Sequence, residues 1–211
     1  MENQNKNTGA SGFSLLELML AMTIMLIVLG VVSSLFARSL ATRQRESSRT
    51  DALTAAQAAL NVISREVANS GYGLAGNGIV RGGDSDAGKL HFLSNIRNDN
   101  EVFTDAGENI TYYFDPTTRS ILRYDANGGG ANTPQTSVIV NRISSLSFEY
   151  FDYVGTGAPT GPNLTPSLDT ARVRVRVTVL LDNIVGQVNP QNVTLVSDVT
   201  LRNSDYMLRQ Y

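Results

Sequence analysis

The sequence predicts an α+β protein: a long N-terminal α-helix, transmembrane in its first half, packed through its second half on a C-terminal antiparallel β-sheet domain. Three observations predict it. Leu18–Ala37 is a run of twenty uncharged, mostly aliphatic residues. The stretch that follows has no proline and carries apolar residues at helical spacing. The remainder holds all six prolines and 15 of the 18 glycines, between short segments of period-two alternation.

The first twelve residues, MENQNKNTGASG, are polar and meet the hydrophobic run abruptly at Phe13. A helix of twenty residues spans roughly the 30 Å hydrocarbon core of a bilayer, so residues 13–37 are expected to cross one. A cleaved secretory signal has a shorter apolar core of about 7–15 residues with small residues after it. Here the small residues come first. Processing is therefore expected to remove a polar leader, residues 1–12, and to leave the apolar segment on the mature chain.

Residues 38–70 continue the helix as an amphipathic half. Leu53, Ala56, Leu60, Ile63 and Val67 follow one another at three- and four-residue steps, which lines up one apolar stripe. Arg49, Asp51, Gln57, Asn61, Arg65 and Glu66 fall on other faces. Asn69-Ser70-Gly71 is the stop, with glycine suited to the left-handed turn that ends a helix. Phe13 to Asn69 would be about 85 Å long at 1.5 Å per residue. The stripe covers about two heptads, fewer than a coiled-coil stalk needs, so packing on the chain's own β domain is expected instead.

Residues 71–211 read as that domain. A glycine-rich loop follows Gly71. Lys89–Ser94, Ile110–Phe114, Ser120–Tyr124, Val138–Ile143, Leu146–Tyr153, Ala171–Leu181 and Val193–Leu201 then read as strands of one antiparallel sheet. Asp115-Pro116-Thr117-Thr118 fits a tight turn, and Gly155–Asp169, with three prolines, reads as a long loop.

Composition excludes several functions. The chain has no cysteine and one histidine among its 211 residues, so disulfide scaffolds, thiolate metal sites and cysteine nucleophiles are out and histidine triads are unsupported. Its 17 basic and 19 acidic residues demand no polyanionic partner. No catalytic constellation and no cofactor site is expected.

Three smaller features each admit two readings. Arg172, Arg174 and Arg176 alternate with valines and share one strand face, which is either a DNA-binding stripe or a solvated face opposite acidic cross-strand neighbours such as Glu149; the second is favoured. The loop 82–88, with Asp84-Ser85-Asp86-Ala87-Gly88, faintly resembles a calcium loop but lacks a third ligand and the distal glutamate, so a plain turn is favoured. His91 sits in a strand pattern and is expected to be structural.

Glu17 is the only charge between Phe13 and Ala37. A carboxylate within a membrane helix costs about 2.5–3.5 kcal/mol on insertion scales, so it needs either a partner or a position from which it reaches the interface. The surrounding GFSLLELMLAMTIMLIVLG closely resembles the leader junction and hydrophobic helix of type IV pilins and type II secretion pseudopilins. The resemblance implies an inner-membrane precursor. It also implies that a prepilin peptidase cuts after Gly12 and N-methylates Phe13, and that Glu17 pairs with the N-terminal amine of a neighbouring subunit during assembly. The leader departs from the family's habit in having only Lys6 as a basic residue.

ITYYFDPTTRSILRY, VIVNRISSLSFEYFDY, ARVRVRVTVLLD and VTLRN are more loosely similar to PilW-type minor pilins, and more distantly to pseudopilin J of type II secretion. Both imply other pilins or pseudopilins as partners, in an envelope-spanning filament or its initiating tip. Arg38, Arg43, Arg45 and Arg49 after the span outweigh Lys6 before it, so charge alone would keep the C-terminal side in the cytoplasm. The resemblance implies a periplasmic C-terminal domain. A membrane-anchored binding or sensor domain that never polymerises is the alternative from another class.

Overall fold

Leucine, methionine and alanine dominate the apolar run and favour a helix, and no proline interrupts the chain before residue 116. In the computed structural model, which describes residues 12–97, 104–130, 133–155, 157–181 and 191–210, this region is one helix, α1 (Leu15–Ala68). The expected leader, apart from Gly12, and Lys6 with it, lies outside the described residues. The chain divides into two units, Met1–Ser47 and Ser48–Tyr211, and α1 contributes to both.

In the first unit α1 is apolar on every side and covered on none. Phe13, Leu16, Met19, Met22, Leu26, Leu29, Val32 and Phe36 are all more than half exposed. Two of its hydroxyls are satisfied within the helix: that of Thr23 donates to the Met19 carbonyl and that of Thr42 to the Arg38 carbonyl. Among the described residues it is the one helix long and apolar enough to cross a membrane.

In the second unit the apolar stripe of α1 is buried as Ala56, Ala59, Leu60, Ile63 and Val67. The expected Leu53 is only half-buried, and Ala59 takes its place beside Leu60. Small alanines at 56 and 59 let the backbone approach the sheets, while Leu60, Ile63 and Val67 supply the larger side chains.

The strands are β1 (Lys89–Leu93), β2 (Asn109–Asp115), β3 (Ser120–Asp125), β4 (Gln135–Val140), β5 (Ile143–Asp152), β6 (Thr160–Asn163), β7 (Thr170–Leu181) and β8 (Gln191–Thr200). A short helix, α2 (Asp205–Leu208), follows, capped by the Ser204 hydroxyl. All strand pairings are antiparallel, but there are two four-stranded sheets where one was expected: β1-β2-β3-β4 and β6-β5-β7-β8. The expected strand Val138–Ile143 is where the chain changes sheets. It breaks at Asn141-Arg142, with Arg142 at φ 59°, a left-handed turn that alternation alone does not reveal. The proline-rich loop 155–169 contributes β6, an edge strand, where Pro162 costs the sheet no ladder bond.

One core joins α1 to both sheets. Val173, Val175, Val177 and Val179 of β7, Phe148 and Tyr150 of β5, Leu90 and Phe92 of β1, Ile110 and Tyr112 of β2 and Ile121 of β3 are buried with the helix stripe. Ser64 and Ser197 hydroxyls meet at 2.9 Å, and Arg202 N–H donates to the Ala68 carbonyl at 3.2 Å.

The turn after α1 is held by close backbone approach. A Cβ on Gly78, at φ 71°, would sit 2.2 Å from the Gly71 nitrogen. The adjoining Asn77 amide is buried and donates to the carbonyls of Ser167, Leu168 and Thr170, which ties the helix end to the loop before β7.

Leu60, Ile63 and Val67 each contribute about 1.5–3 kcal/mol by burial, which in sum is comparable to a domain's net stability of about 5–15 kcal/mol. A fragment starting at Arg38 is therefore expected to be soluble and to unfold cooperatively, whereas one starting at Gly71 aggregates or melts far lower. Circular dichroism on heating checks this; equal midpoints would mean that the helix does not stabilise the sheets.

Candidate functional site

The residues singled out for processing and assembly lie together at the head of α1. Gly12, Phe13 and Ser14 precede the helix in an irregular, exposed stretch, and the Ser14 carbonyl accepts the Leu18 N–H at 3.1 Å. Phe13 is 83% exposed, and nothing lies within 4 Å of where a Gly12 Cβ would be. A peptidase needs such a peptide, outside the helix and uncovered. Glu17 is in the first turn of α1, where a carboxylate also complements the helix dipole. It is exposed, and among the described residues no basic group lies within ion-pair distance. Counted along the helix it abuts twenty uncharged residues. The arrangement offers an acid, an exposed Gly12-Phe13 junction and an apolar surface, and none of the described residues covers them.

The arginine row of β7 is differently placed. The register sets Arg174 opposite both Glu149 and Asp198. Arg174 donates to Asp198 through Nε at 2.6 Å and Nη2 at 3.0 Å, and Arg176 donates to Glu149 through Nε at 3.1 Å and Nη2 at 3.2 Å. The Arg172 guanidinium lies 4.1 Å from the Phe151 ring centroid. The bond from Arg174 holds the Asp198 carboxyl below its ordinary range, against the opposing effect of burial. Two of the three guanidinium forks are thus filled by carboxylates of the same sheet, which is the solvated, cross-paired face that the sequence favoured over a phosphate-binding stripe.

The loop before β1 is a turn. Asp86 Oδ1 accepts from the N–H groups of Gly88 at 2.7 Å and Lys89 at 2.9 Å, and its carbonyl accepts from the Tyr150 hydroxyl at 2.9 Å. Asp84 faces Lys89 Nζ and His91 Nδ1, each at 4.0 Å. His91 Nε2 pairs with Asn109 Oδ1 at 2.8 Å. Among the described residues no group of three or more histidine, aspartate or glutamate side chains is placed to hold a metal ion.

A polar junction between α1 and the first sheet escaped the sequence reading. Glu66 Oε2 accepts from the Tyr112 hydroxyl at 2.6 Å and from Arg123 Nε at 3.0 Å. Arg123 Nη1 in turn donates to Asp125 Oδ2 at 3.1 Å, which also accepts the Gly107 N–H at 2.8 Å. Glu66 flanks the stripe between Ile63 and Val67, which was the one available hint. Its partners come from strands 46 and 57 residues away, and periodicity carries no such information.

A long apolar helix with a lone acid at its head, backed by an antiparallel β domain, defines a membrane-anchored, pilin-like protein. Residues 7–33 match the family model of the prokaryotic N-terminal methylation motif, a motif that indicates the type IV pilin and pseudopilin family. That family is structural rather than enzymatic, and its motif implies processing by prepilin peptidase and assembly with other pilins. No curated protein and no solved structure matches the chain significantly.

Burial first, and the Glu66 carboxylate second, push the Tyr112 hydroxyl well above the ordinary tyrosine range. Burial and then Asp86 do the same to Tyr150. A folded-state pKa above the unfolded value of about 10 means that both contributions are complete below about pH 10 and are lost as pH rises toward the folded values. In an alkaline titration read at the tyrosinate absorbance band, these two tyrosines should ionise only as the β signal collapses. The Tyr112→Phe/Tyr150→Phe variant should lose that late step and show a shallower alkaline slope, even if its neutral stability is lower. A single titration of all eight tyrosines near the ordinary value, with the fold intact, would contradict this.

Proposed function

We propose that the chain is a minor pilin: an inner-membrane precursor that is cut after Gly12, methylated at Phe13 and assembled into a type IV pilus as part of its initiating or tip complex. The observation that carries this reading is the head of α1, where an exposed junction and a lone carboxylate adjoin an apolar helix surface that the described residues leave uncovered. Leu18–Ala37 holds the precursor in the bilayer, with the β domain on the periplasmic side. A minor pseudopilin of a type II secretion system is the neighbouring reading, supported by the same motif. Genes for a secretin and secretion components beside this one would favour it.

The chemistry follows from the charges. Cleavage turns the Phe13 amide into an amine that is cationic at neutral pH. A carboxylate and an ammonium about 4 Å apart attract by roughly 4 kcal/mol at an effective dielectric constant near 20, and each relieves the other's burial cost. A subunit whose Glu17 meets a neighbour's amine is thereby set in axial register, while lateral contacts between apolar helices replace the lipid.

Intact mass of the membrane-extracted protein from cells with and without prepilin peptidase tests the first step. Loss of Met1–Gly12 and gain of one methyl group are expected only when the peptidase is present; a retained leader in peptidase-positive cells would overturn the proposal. Glu17→Ala should insert at least as readily, because the removed charge opposed insertion, yet remain in the membrane fraction when filaments are sheared off. Wild-type recovery of that variant in filaments would exclude the pairing mechanism.

A further inference from the structure

Beyond the acid, α1 carries a second set of charges that assembly chemistry at its head does not use. Arg38, Arg43 and Arg45 follow directly on the uncharged run, with Glu46 the one acid among residues 38–47. Arg38 and Arg43 are exposed and Arg45 is half-exposed. Among the described residues no carboxylate lies within ion-pair distance of any of the three. At 3.6 residues per turn Arg38 and Arg45 share one face, while Arg43 lies about 140° round the helix. From Arg38 to Arg45 the helix rises about 10 Å, roughly one and a half to two headgroup layers of about 5–7 Å and about one Debye length.

We infer that Arg38, Arg43 and Arg45 form a collar that binds the phosphates of anionic lipid headgroups and sets the depth of α1 in the bilayer. This deepens the membrane stage of the proposed function and rests on Leu18–Ala37 spanning the bilayer. Guanidinium groups form bidentate hydrogen bonds with phosphate oxygens and keep their charge at any physiological pH. The charges are distributed round the helix, as a shell of lipid requires and a single protein neighbour does not. They are also continuous with the apolar span, so headgroups are the first anions they meet. The span leaves no slack: Glu17 and Arg38 are 21 residues apart, about 32 Å along a helix, against about 30 Å of hydrocarbon. A slide of one turn would drag one of them into the lipid tails. Headgroup binding at Arg38 therefore holds Glu17 at the opposite boundary until a neighbouring subunit takes it. The collar works on whichever side of the membrane it lies.

The test uses the full chain reconstituted in phosphatidylcholine vesicles that contain trace spin-labelled phosphatidylglycerol or spin-labelled phosphatidylcholine. The ratio of their association with the protein boundary is read by electron paramagnetic resonance. Each basic residue near an anionic surface is worth up to about fivefold, so a preference of roughly five- to tenfold for phosphatidylglycerol is expected, falling steeply in about 1 M salt. The Arg38→Gln/Arg43→Gln/Arg45→Gln variant should lose the preference and the matching lysine variant should keep much of it, with Arg81→Gln, at an exposed position in the glycine-rich loop before β1, as an unchanged control. No preference in the wild type, or full preference in the glutamine variant, would overturn the collar. Loss of the glutamine variant from filaments without any lipid preference in the wild type would overturn it in favour of a protein partner. Alkaline carbonate extraction separates the premises: a chain that washes off the vesicles defeats the span and the collar together, whereas an integral chain without lipid preference defeats the collar alone.

Discussion

The uncovered apolar surface of α1 between Phe13 and Leu40 governs how the rest of the molecule is used. Eighteen large side chains of this kind cannot all face water, and none of the described residues of the first unit covers them. The cover has to come from lipid and then from other helices, and these two environments place opposite demands on charge. Lipid tolerates Glu17 only at the boundary. A bundle of helices tolerates it in the interior, provided that a cation arrives with it. In the proposed assembly a single carboxylate at the end of the span satisfies both demands, because the same group would be solvated in one state and paired in the other.

The second half of the helix solves the burial problem internally. Its stripe lies in the same core as the valines of β7 and the aromatic residues of β1, β2 and β5, so the helix is part of the fold rather than a tether. Glu66 sharpens that contact. A carboxylate beside a buried stripe would be costly alone, but Tyr112 and Arg123 both donate to it, and Arg123 is held from its other side by Asp125. Burial pulls the Arg123 guanidinium toward neutrality, yet Glu66, Tyr112 and Asp125 outweigh it and hold the group more firmly charged. The hydrophobic stripe supplies adhesion and this junction supplies angular specificity, since hydrogen bonds tolerate far less rotation than aliphatic contact does.

The outer face of the second sheet is settled by pairing within the sheet. Arg174 and Arg176 lie beside Glu149 and Asp198 because β5 and β8 flank β7 in that register. What reads along the chain as a basic row reads across the sheet as alternating charge. The same switch from one dimension to two explains Asp86, whose carboxylate is spent on two backbone N–H groups of its own turn.

The sequence by itself determined what depends on near neighbours in the chain. An apolar run of twenty residues specifies a span through its length, the glutamate at its edge is conspicuous because nothing else there is charged, and alternation located seven of the eight strands to within a few residues. The helix stripe was legible for the same reason, apart from the exchange of Leu53 for Ala59, which depends on how closely the sheets approach. Tertiary structure decided what depends on partners far apart in sequence. The left-handed Arg142 splits one expected strand between two sheets, β6 forms only because β5 offers it an edge, and Glu66 acquires its role from strands on another layer. Periodicity reports which face of an element is apolar; which charges meet across that face is decided by register and packing, and no single segment encodes these.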